Sequence, residues 1–465
     1  MQIYNTKTKQ KEKFVPLEDK IVRIYLCGPT VYDDAHLGHA RSALVFDLLR
    51  RVLEYDGYEV IFVRNVTDID DKIINKSISS GKTIEEISSY YLDRFHTDMD
   101  KLNILTPTIE PKATQNLKNM IEFIDDLIKR DFAYIIDDGV YFDVSKDERY
   151  FSLSNRDSSD EQNIARVEQN IQKRDPKDYA LWKFVKDDEI GYDSPWGRGR
   201  PGWHIECSAM IKAHLATNKE YQIDIHCGGS DLIFPHHENE ASQSRCQSGV
   251  ELAKYWMHNG FVQIDNQKMS KSLGNSFFLK DALKEFHPDA LRYYLLSSHY
   301  RSNFNFSHQD LQISKKRLDK IYRLKKRVET TKSSSPNKEF EKAFLDALRD
   351  DLNISKALSI VDEMVNDANE KLDIDPKNKA QKHQINANIK LINELLGVAK
   401  EDQNSYFKFG LSDEFIKKVE SLIDRRDEAK SKKDYIKADK LRDELKELGV
   451  KIMDTPKGTI WEKDE

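Results

Sequence analysis

Two short motifs in the chain combine histidine, glycine and lysine. The first, HLGH at 36–39, follows an apolar run at 21–26 and places two imidazoles and the side-chain-free Gly38 in a loop. The second, KMSKS at 268–272, offers two ammonium groups on long side chains. Imidazoles and backbone N–H groups on one side and ammonium groups on the other would clamp a triphosphate as pyrophosphate departs. The pair therefore indicates nucleotidyl transfer, whereas two lysines alone would indicate only a solvated basic turn.

Four possible metal ligands are scattered along the chain. They are Cys27, Cys207, His236 and Glu240, each at the end of a predicted strand or the start of a predicted helix. His236 and Glu240 are four residues apart in a predicted helix that opens at Pro235, so they share one face. Two thiolates, an imidazole and a carboxylate suit zinc. Spacing this wide is weak support by itself, because a single cysteine is more often a buried core residue.

Hydrophobic patterning predicts the elements that hold these residues. A strand at 21–26, a helix from near His39 and a second apolar run at 59–66 make one βαβ unit, whose right-handed crossover implies a parallel sheet. Ligands bind such sheets beyond the carboxyl ends of the strands. Helical spacing at 111–130 and a hairpin at 134–144 follow. The predicted fold class is α/β: a Rossmann-like parallel-sheet catalytic domain with an insertion, then a helical bundle and a small α/β C-terminal domain.

Length and composition exclude several classes of protein. With 465 residues, the chain should contain about two to four domains. Its charged fraction is 33%, no apolar run approaches about 20 residues, and the first residues, MQIYNTK, form no apolar signal segment, which predicts a cytoplasmic protein. The net charge of −6 argues against a protein that coats DNA but is compatible with local contacts to RNA.

The two motifs and the sequence around them resemble one family of enzymes. HLGH followed by KMSKS is the paired signature of class I aminoacyl-tRNA synthetases. Further stretches are similar, in wording and order, to cysteinyl-tRNA synthetases: CGPTVYD at 27–33, NVTDIDDK at 65–72, GWHIECSAM at 202–210, GGSDLIFPHHENE at 228–240, DDLN at 350–353 and DTPKGTIW at 454–461. The resemblance covers nearly the whole chain.

This resemblance implies that the chain attaches L-cysteine to its tRNA through a cysteinyl-adenylate formed from ATP. It implies one zinc ion per chain, held by Cys27, Cys207, His236 and Glu240, which selects cysteine over serine, and magnesium that accompanies ATP. Cobalt or iron could occupy the same ligands. The implied catalytic residues are His36, His39, Lys268 and Lys271. The same four residues with Gly38 and Ser270 would bind ATP, and the amino acid would be bound by Thr67, Trp203, Cys27 and His236.

The resemblance also divides the chain into segments. They are the first half of the catalytic domain at 1–120, a connective insertion at 121–200, the second half of the catalytic domain at 201–260, a KMSKS-loop and stem-contact region at 261–306, a helical anticodon-side domain at 307–400 and an anticodon-binding domain at 401–465. The expected partners are tRNA(Cys), ATP and L-cysteine, with neither a membrane nor DNA, and the expected state is a monomer.

Two features of the C-terminal third have alternative interpretations. One helix carries a basic series that either follows RNA phosphates or forms a solvated face: Lys315, Lys316, Arg317, Arg323, Lys325, Lys326 and Arg327. Trp461 either stacks on an unpaired base or packs in a core.

Two other functions are compatible with the catalytic motifs. A cysteine ligase that acts on a small amine would share the catalytic domain but lack a full anticodon region, whereas this chain contains DTPKGTIW at 454–461. A non-catalytic zinc- or RNA-binding paralogue would be expected to lose residues of the two motifs or of the metal set, and all are present here.

Overall fold

The computed structural model describes residues 1–156, 172–264, 267–268, 277–328, 332–455 and 458–463, with only the backbone at 267, 268 and 455. The chain forms two compact units. The first comprises Met1–Lys280, Leu295–Ser307 and Lys342–Ser359, and the second comprises Asp281–Tyr294, His308–Glu341 and Ile360–Glu465.

The first part of the chain alternates strands and helices, and the rest is mainly helical. In chain order the first part contains β1 Gln2–Asn5, β2 Gln10–Lys13, β3 Ile21–Leu26, α1 Leu37–Tyr55, β4 Glu59–Arg64, α2 Asp71–Ser80, α3 Ile84–Lys101, α4 Leu117–Lys129, β5 Ala133–Ile136, β6 Gly139–Phe142, β7 Tyr179–Phe184, β8 Gly199–Pro201, α5 Trp203–His214, β9 Tyr221–Gly229, α6 Glu238–Ser248, β10 Glu251–Asn259, β11 Val262–Ile264 and β12 Gln267–Lys268. The rest contains α7 Leu279–Glu285, α8 Pro288–Leu296, β13 Phe304–Phe306, α9 His308–Val328, α10 Lys338–Arg349, α11 Ile354–Ile374, α12 Lys379–Leu396, α13 Gln403–Phe407, α14 Asp413–Ser431, α15 Tyr435–Glu447, β14 Val450–Thr455 and β15 Gly458–Lys463. Within the described residues, none of these helices combines the length and apolar character that crossing a membrane requires.

A four-stranded parallel sheet, in the order β10-β9-β3-β4, lies in the first unit. Strand β3 has a neighbour on each side, and its apolar sequence IVRIYL suits an inner parallel strand. The predicted parallel crossover from β3 through α1 to β4 is confirmed. At the carboxyl end of the sheet, Leu26 of β3 pairs with Cys227 of β9, so this edge joins regions that are far apart in sequence.

A separate antiparallel sheet, in the order β5-β6-β7-β8, is built from residues between β4 and β9. Helix α4 packs on it through Met120, Phe123 and Leu127, which share a buried cluster with Trp182 of β7. The predicted hairpin is confirmed, since β5 and β6 pair around a turn before Gly139. The sheet falls in the predicted insertion, 121–200, except for the last residue of β8, Pro201. The domain boundaries proposed from the sequence stay predictions.

The second unit is stabilised by buried aromatic and apolar contacts. The rings of Tyr322 and Tyr406 stack with their centroids 3.7 Å apart, so α13 is tied to α9. A C-terminal core follows, made of Val419, Leu422, Ile423, Leu441, Leu445, Val450 and Trp461. Because only 5% of Trp461 is exposed, the packing interpretation of this residue is favoured over base stacking.

Most of the basic series on α9 forms ion pairs inside the second unit. Arg317 contacts Asp362 at 2.6 Å, and both Arg323 and Lys326 contact Glu462. Partners this close neutralise much of the local positive charge. The arrangement argues against direct contacts of these cations with RNA phosphates, and it replaces the alternative of a solvated face by a face that forms ion pairs.

Candidate active site and metal centre

The HLGH motif forms the N-terminal cap of helix α1. Nδ1 of His36 accepts a hydrogen bond from the Gly38 N–H at 3.1 Å, and Nδ1 of His39 accepts one from the His36 N–H at 3.2 Å. Because both Nδ1 atoms accept from backbone N–H groups, each neutral ring carries its proton on Nε2. The two rings stack with centroids 3.8 Å apart. Two Nε2–H donors therefore lie at the positive end of a helix, which suits an anionic ligand.

The histidine pair lines a cavity of about 780 Å³. Cys27 and Trp203 line the same cavity, as do the basic side chains of Arg64 and Lys72. A second cavity, of about 840 Å³, has a similar volume. It is lined by residues of α2, α3 and the insertion and by none of the predicted site residues. The two cavities differ in the chemistry of their lining residues rather than in volume. The cavity lined by the histidine pair is therefore the candidate active site.

The KMSKS motif lies mostly beyond the described residues. The backbone of Lys268 ends β12, whereas Ser270 and Lys271 fall in the undescribed range 269–276. The chain re-enters beside the first motif, because the Leu279 N–H donates to the Ala35 carbonyl at 2.8 Å. The roles assigned to Lys268, Ser270 and Lys271 stay predictions.

The four predicted metal ligands are brought together by the fold. One ligand atom from each of Cys27, Cys207, His236 and Glu240 lies within 4.8 Å of all the others. They come from the end of β3, from α5, from the helical turn before α6 and from α6 itself. His236 Nε2 lies 2.9 Å from Glu240 Oε1 and 3.7 Å from Cys207 Sγ. Two sulfurs, one imidazole nitrogen and one carboxylate oxygen at this separation form a donor set that fits zinc.

The pKa values of Glu240 and His236 agree with a site built for a cation. Burial acts to raise the pKa of Glu240, yet His236 and His226 lower it to about 2. Burial acts to lower the pKa of His236, yet Glu240 and Cys207 raise it to about 10. The His236 proton is thus the positive charge beside the Glu240 carboxylate, whereas burial raises the pKa of the Cys27 thiol well above its usual value. A divalent ion would take the place of that proton, since metal binding releases protons from its ligands.

Neighbouring aromatic side chains fix the orientation of His236. Its Nδ1 is hydrogen-bonded to Nδ1 of His204 at 2.8 Å, which leaves Nε2 facing the other ligands. In metal-binding histidines generally, a hydrogen bond at the ring nitrogen that does not bind the metal sets the orientation of the ring. The Trp203 ring stacks on His236 with centroids 4.0 Å apart and an interplanar angle of 19°. Trp203 is 44% exposed, so its ring forms a wall of the cavity.

Thr67, predicted to bind the amino acid, is buried and does not line the cavity. Its hydroxyl donates to Glu206 Oε2 at 3.0 Å. The neighbouring Asn65 is held by the Gly28 N–H, which donates to Asn65 Oδ1 at 2.8 Å. Gly28 is required here, because a Cβ atom would lie 1.6 Å from the Asn65 carbonyl oxygen. The contact of Thr67 with a substrate stays a prediction.

Buried histidines next to the metal ligands were missed by the sequence reasoning. His226 Nε2 lies 2.7 Å from Glu240 Oε2, and His237 Nε2 lies 3.2 Å from Cys27 Sγ. His237 Nδ1 in turn contacts His258 Nε2 at 2.7 Å. The sequence does contain a signal for His226 and His258, since each lies inside an apolar strand, β9 or β10. A polar side chain buried in a strand requires a hydrogen-bond partner, which predicts a second polar group beside it.

Three family models match the chain in order. They are the class I (C) catalytic domain of tRNA synthetases at residues 13–316, the DALR domain at 343–400 and the anticodon-binding domain of cysteinyl-tRNA ligases at 412–461. Among solved structures, a methionyl-tRNA synthetase of Mycobacterium tuberculosis in complex with methionyl-adenylate aligns with 83% of this chain and 91% of its own, at a TM-score of 0.59 and 12% identity. That likeness indicates a shared fold. The catalytic domain, the motifs and the fold together define a class I aminoacyl-tRNA synthetase.

Curated relatives narrow the class further. The cysteine–tRNA ligase of Aliarcobacter butzleri is 56% identical over 464 residues, which cover 100% of this chain and 99% of that protein. Those of Campylobacter fetus and Helicobacter pylori strain P12 are 55% and 56% identical, with 100% of both chains covered in each case. The chain therefore belongs to the cysteine–tRNA ligase family. The family predicted from the motifs is confirmed. The fold class predicted from the hydrophobic patterning is also confirmed.

Proposed function

We propose that this chain joins L-cysteine to tRNA(Cys) in two steps through a cysteinyl-adenylate. The observation that carries the proposal is that one cavity is lined both by the histidine pair of a nucleotide-binding motif and by Cys27, a member of the metal cluster. The match to an anticodon-binding domain at 412–461 favours tRNA over a small amine as the acceptor. The intact site argues against a non-catalytic paralogue.

In the first step a carboxylate oxygen of cysteine attacks the α-phosphorus of ATP, and the bond to pyrophosphate breaks. His36 and His39 donate Nε2–H to phosphate oxygens, and Lys268 and Lys271 balance the charge on the leaving pyrophosphate. Gly38 lets the nucleotide approach the backbone, and Ser270 assists in binding it. Magnesium accompanies ATP as a counter-charge. Catalysis is therefore positioning and electrostatic stabilisation rather than proton transfer by a side chain.

In the second step a terminal ribose hydroxyl of the tRNA attacks the carbonyl carbon of the adenylate. The bond between that carbon and the phosphate oxygen breaks, and AMP leaves. The class of enzyme favours the 2′-hydroxyl as the attacking group. We propose that the reaction takes place in the cytoplasm. We also propose that the active protein is a monomer.

Selection of the amino acid rests on one zinc ion held by Cys27, Cys207, His236 and Glu240. Zinc binds a thiolate far more strongly than a hydroxyl, so it would separate cysteine from serine at the substrate side chain. Discrimination by a specific polar contact of this kind reaches about 10⁴-fold without editing. The Trp203 ring limits the space beside His236, and Thr67 contributes to holding the amino acid.

The proposal predicts cysteine-dependent exchange of pyrophosphate into ATP by the purified protein. Exchange with cysteine should exceed exchange with serine by about 10³-fold or more. Chelation should abolish it, and zinc should restore it, with one zinc per chain measured by mass spectrometry. Magnesium is kept in excess throughout, so that loss of the ATP counter-ion does not imitate loss of zinc. Folded, zinc-loaded protein that shows no exchange would overturn the proposal.

A second prediction separates adenylate formation from charging of tRNA. A chain that ends at Gly410 removes α14, α15 and the last hairpin but retains Tyr406, which packs on Tyr322 of α9. Exchange should change less than about threefold, whereas charging of tRNA(Cys) should fall by about 10²-fold or more, because contacts to the nucleic acid are lost. Charging is followed by incorporation of labelled cysteine. Full charging by the shortened chain would contradict the role of the C-terminal domain.

A further inference from the structure

The carboxylate of Asp34 is buried two residues before the histidine cap of α1. Only 7% of the residue is exposed, and two cations contact its oxygens: Arg94 of α3 at Oδ1 and Lys280 of α7 at Oδ2, the latter at 2.6 Å. Because hydrogen bonds from both cations outweigh the effect of burial, the pKa of Asp34 lies below its usual value. The side chain is therefore a charged link between three segments of the first unit.

Beside this link, the backbone around the HLGH motif is joined to the segment that follows KMSKS in the sequence. His36 forms an antiparallel bridge with Phe278. The Leu279 N–H donates to the Ala35 carbonyl at 2.8 Å, and the Leu37 N–H donates to the Phe277 carbonyl at 3.3 Å. The ion pair between Asp34 and Lys280 continues this short ladder by one further pair of residues. The segment that follows KMSKS is thus joined to HLGH by backbone hydrogen bonds that end in a partly buried ion pair.

We infer that Asp34 is a positioning residue for adenylate formation, which holds the segment after KMSKS in register with the histidine pair. The inference rests on the proposed function. Phe277 follows Lys271 by only six residues. The anchor is therefore close in sequence to the motif that we propose acts on the leaving pyrophosphate. Asp34 itself is neither a lining residue of the candidate active-site cavity nor a member of the metal cluster. Misplacement of a reacting or stabilising group by about 1 Å costs about 10²-fold in rate.

The test uses the full-length, zinc-loaded protein and cysteine-dependent exchange. Asp34→Asn should lower kcat/KM for ATP by about 10- to 100-fold. The KM for cysteine should change less than about threefold, because the metal cluster is untouched. Asp34→Glu, which retains the charge, should recover part of the loss. Lys280→Met, which removes one of the two cations, should reproduce part of the effect. The double variant should be no worse than Asp34→Asn alone, since Asp34→Asn already breaks the pair with Lys280.

Lys284→Met provides the matched control. Lys284 is exposed and pairs with Asp281 at 2.9 Å on the same helix, so its loss should leave exchange unchanged. Thermal melting is measured for every variant. If Asp34→Asn and Lys280→Met lower only the melting temperature, or reduce the ATP and cysteine parameters equally, the positioning role is wrong. Wild-type exchange is measured first: its absence would overturn the proposed function, whereas normal wild-type exchange with an unimpaired Asp34→Asn variant would overturn this inference alone.

Discussion

Replacement of Cys207 by serine is expected to reduce cysteine-dependent pyrophosphate exchange by about 10³-fold or more. Cys207 is 1% exposed and supplies one of the two sulfurs of the four-ligand cluster. A serine hydroxyl stays protonated at neutral pH and is a poor ligand for zinc. Zinc content per chain should fall in parallel with exchange. The affinity for ATP, measured by equilibrium binding, should change less than about threefold, because the histidine pair is intact.

Cys246→Ser is the control for this experiment. Cys246 is also a buried cysteine, but it packs in the apolar cluster with Phe123 and Trp182 and is not part of the metal group. Its replacement should reduce thermal stability while zinc content and the preference for cysteine persist. Equal losses of ATP and cysteine affinity in Cys207→Ser, or retention of zinc with normal exchange, would contradict the role of Cys207.

Replacement of His39 by alanine is expected to lower the rate of adenylate formation by about 10²- to 10³-fold, the usual cost of removing one donor to a developing anion. It should also cost about 0.5–2 kcal/mol of stability, since the His39 ring accepts the His36 N–H in the cap of α1. His39→Glu separates the two effects. Glutamate at this position of a helix can accept the same N–H and complete a capping box, but its carboxylate has no N–H to donate.

The measurements are single-turnover formation of the adenylate and thermal unfolding. His39→Glu should melt close to the wild type and form the adenylate at least as slowly as His39→Ala. Binding of cysteine in the absence of ATP should be normal in both. If His39→Glu restored the rate together with the stability, the contribution of His39 would be to cap the helix and not to stabilise the phosphates.

Local patterns predicted the elements near the active site well. The strand at Ile21–Leu26 and the hairpin of β5 and β6 follow from short-range periodicity and turn residues. The helix predicted from 111 begins instead at Leu117, because the chain at Lys112 first pairs with Val66 beyond β4. A sequence window cannot contain that pairing, since its partner is more than forty residues away.

The candidate site was accessible to sequence reasoning only in part. The ligands Cys27 and Cys207 are separated by 180 residues, so spacing gave weak support and the resemblance to a family supplied the grouping. The histidines at 226 and 258 were overlooked, because within an apolar strand they count as interruptions of the pattern rather than as groups with buried partners. The register of β9 against β3 and β10 brings them beside the metal ligands, and register is a property of the folded sheet.

The parallel sheet has a consequence for the synthesis of the chain. Strand β3 pairs with β9, which leaves the ribosome about 200 residues later, roughly 10–40 s at the usual rate of translation. During that interval β3 can pair with β4 alone, and its other edge is open to unwanted strand pairing. The antiparallel sheet of the insertion contains only local partners and can form first. A released fragment that ends between β8 and β9 should therefore contain a folded insertion beside an incomplete nucleotide-binding sheet that is prone to aggregate.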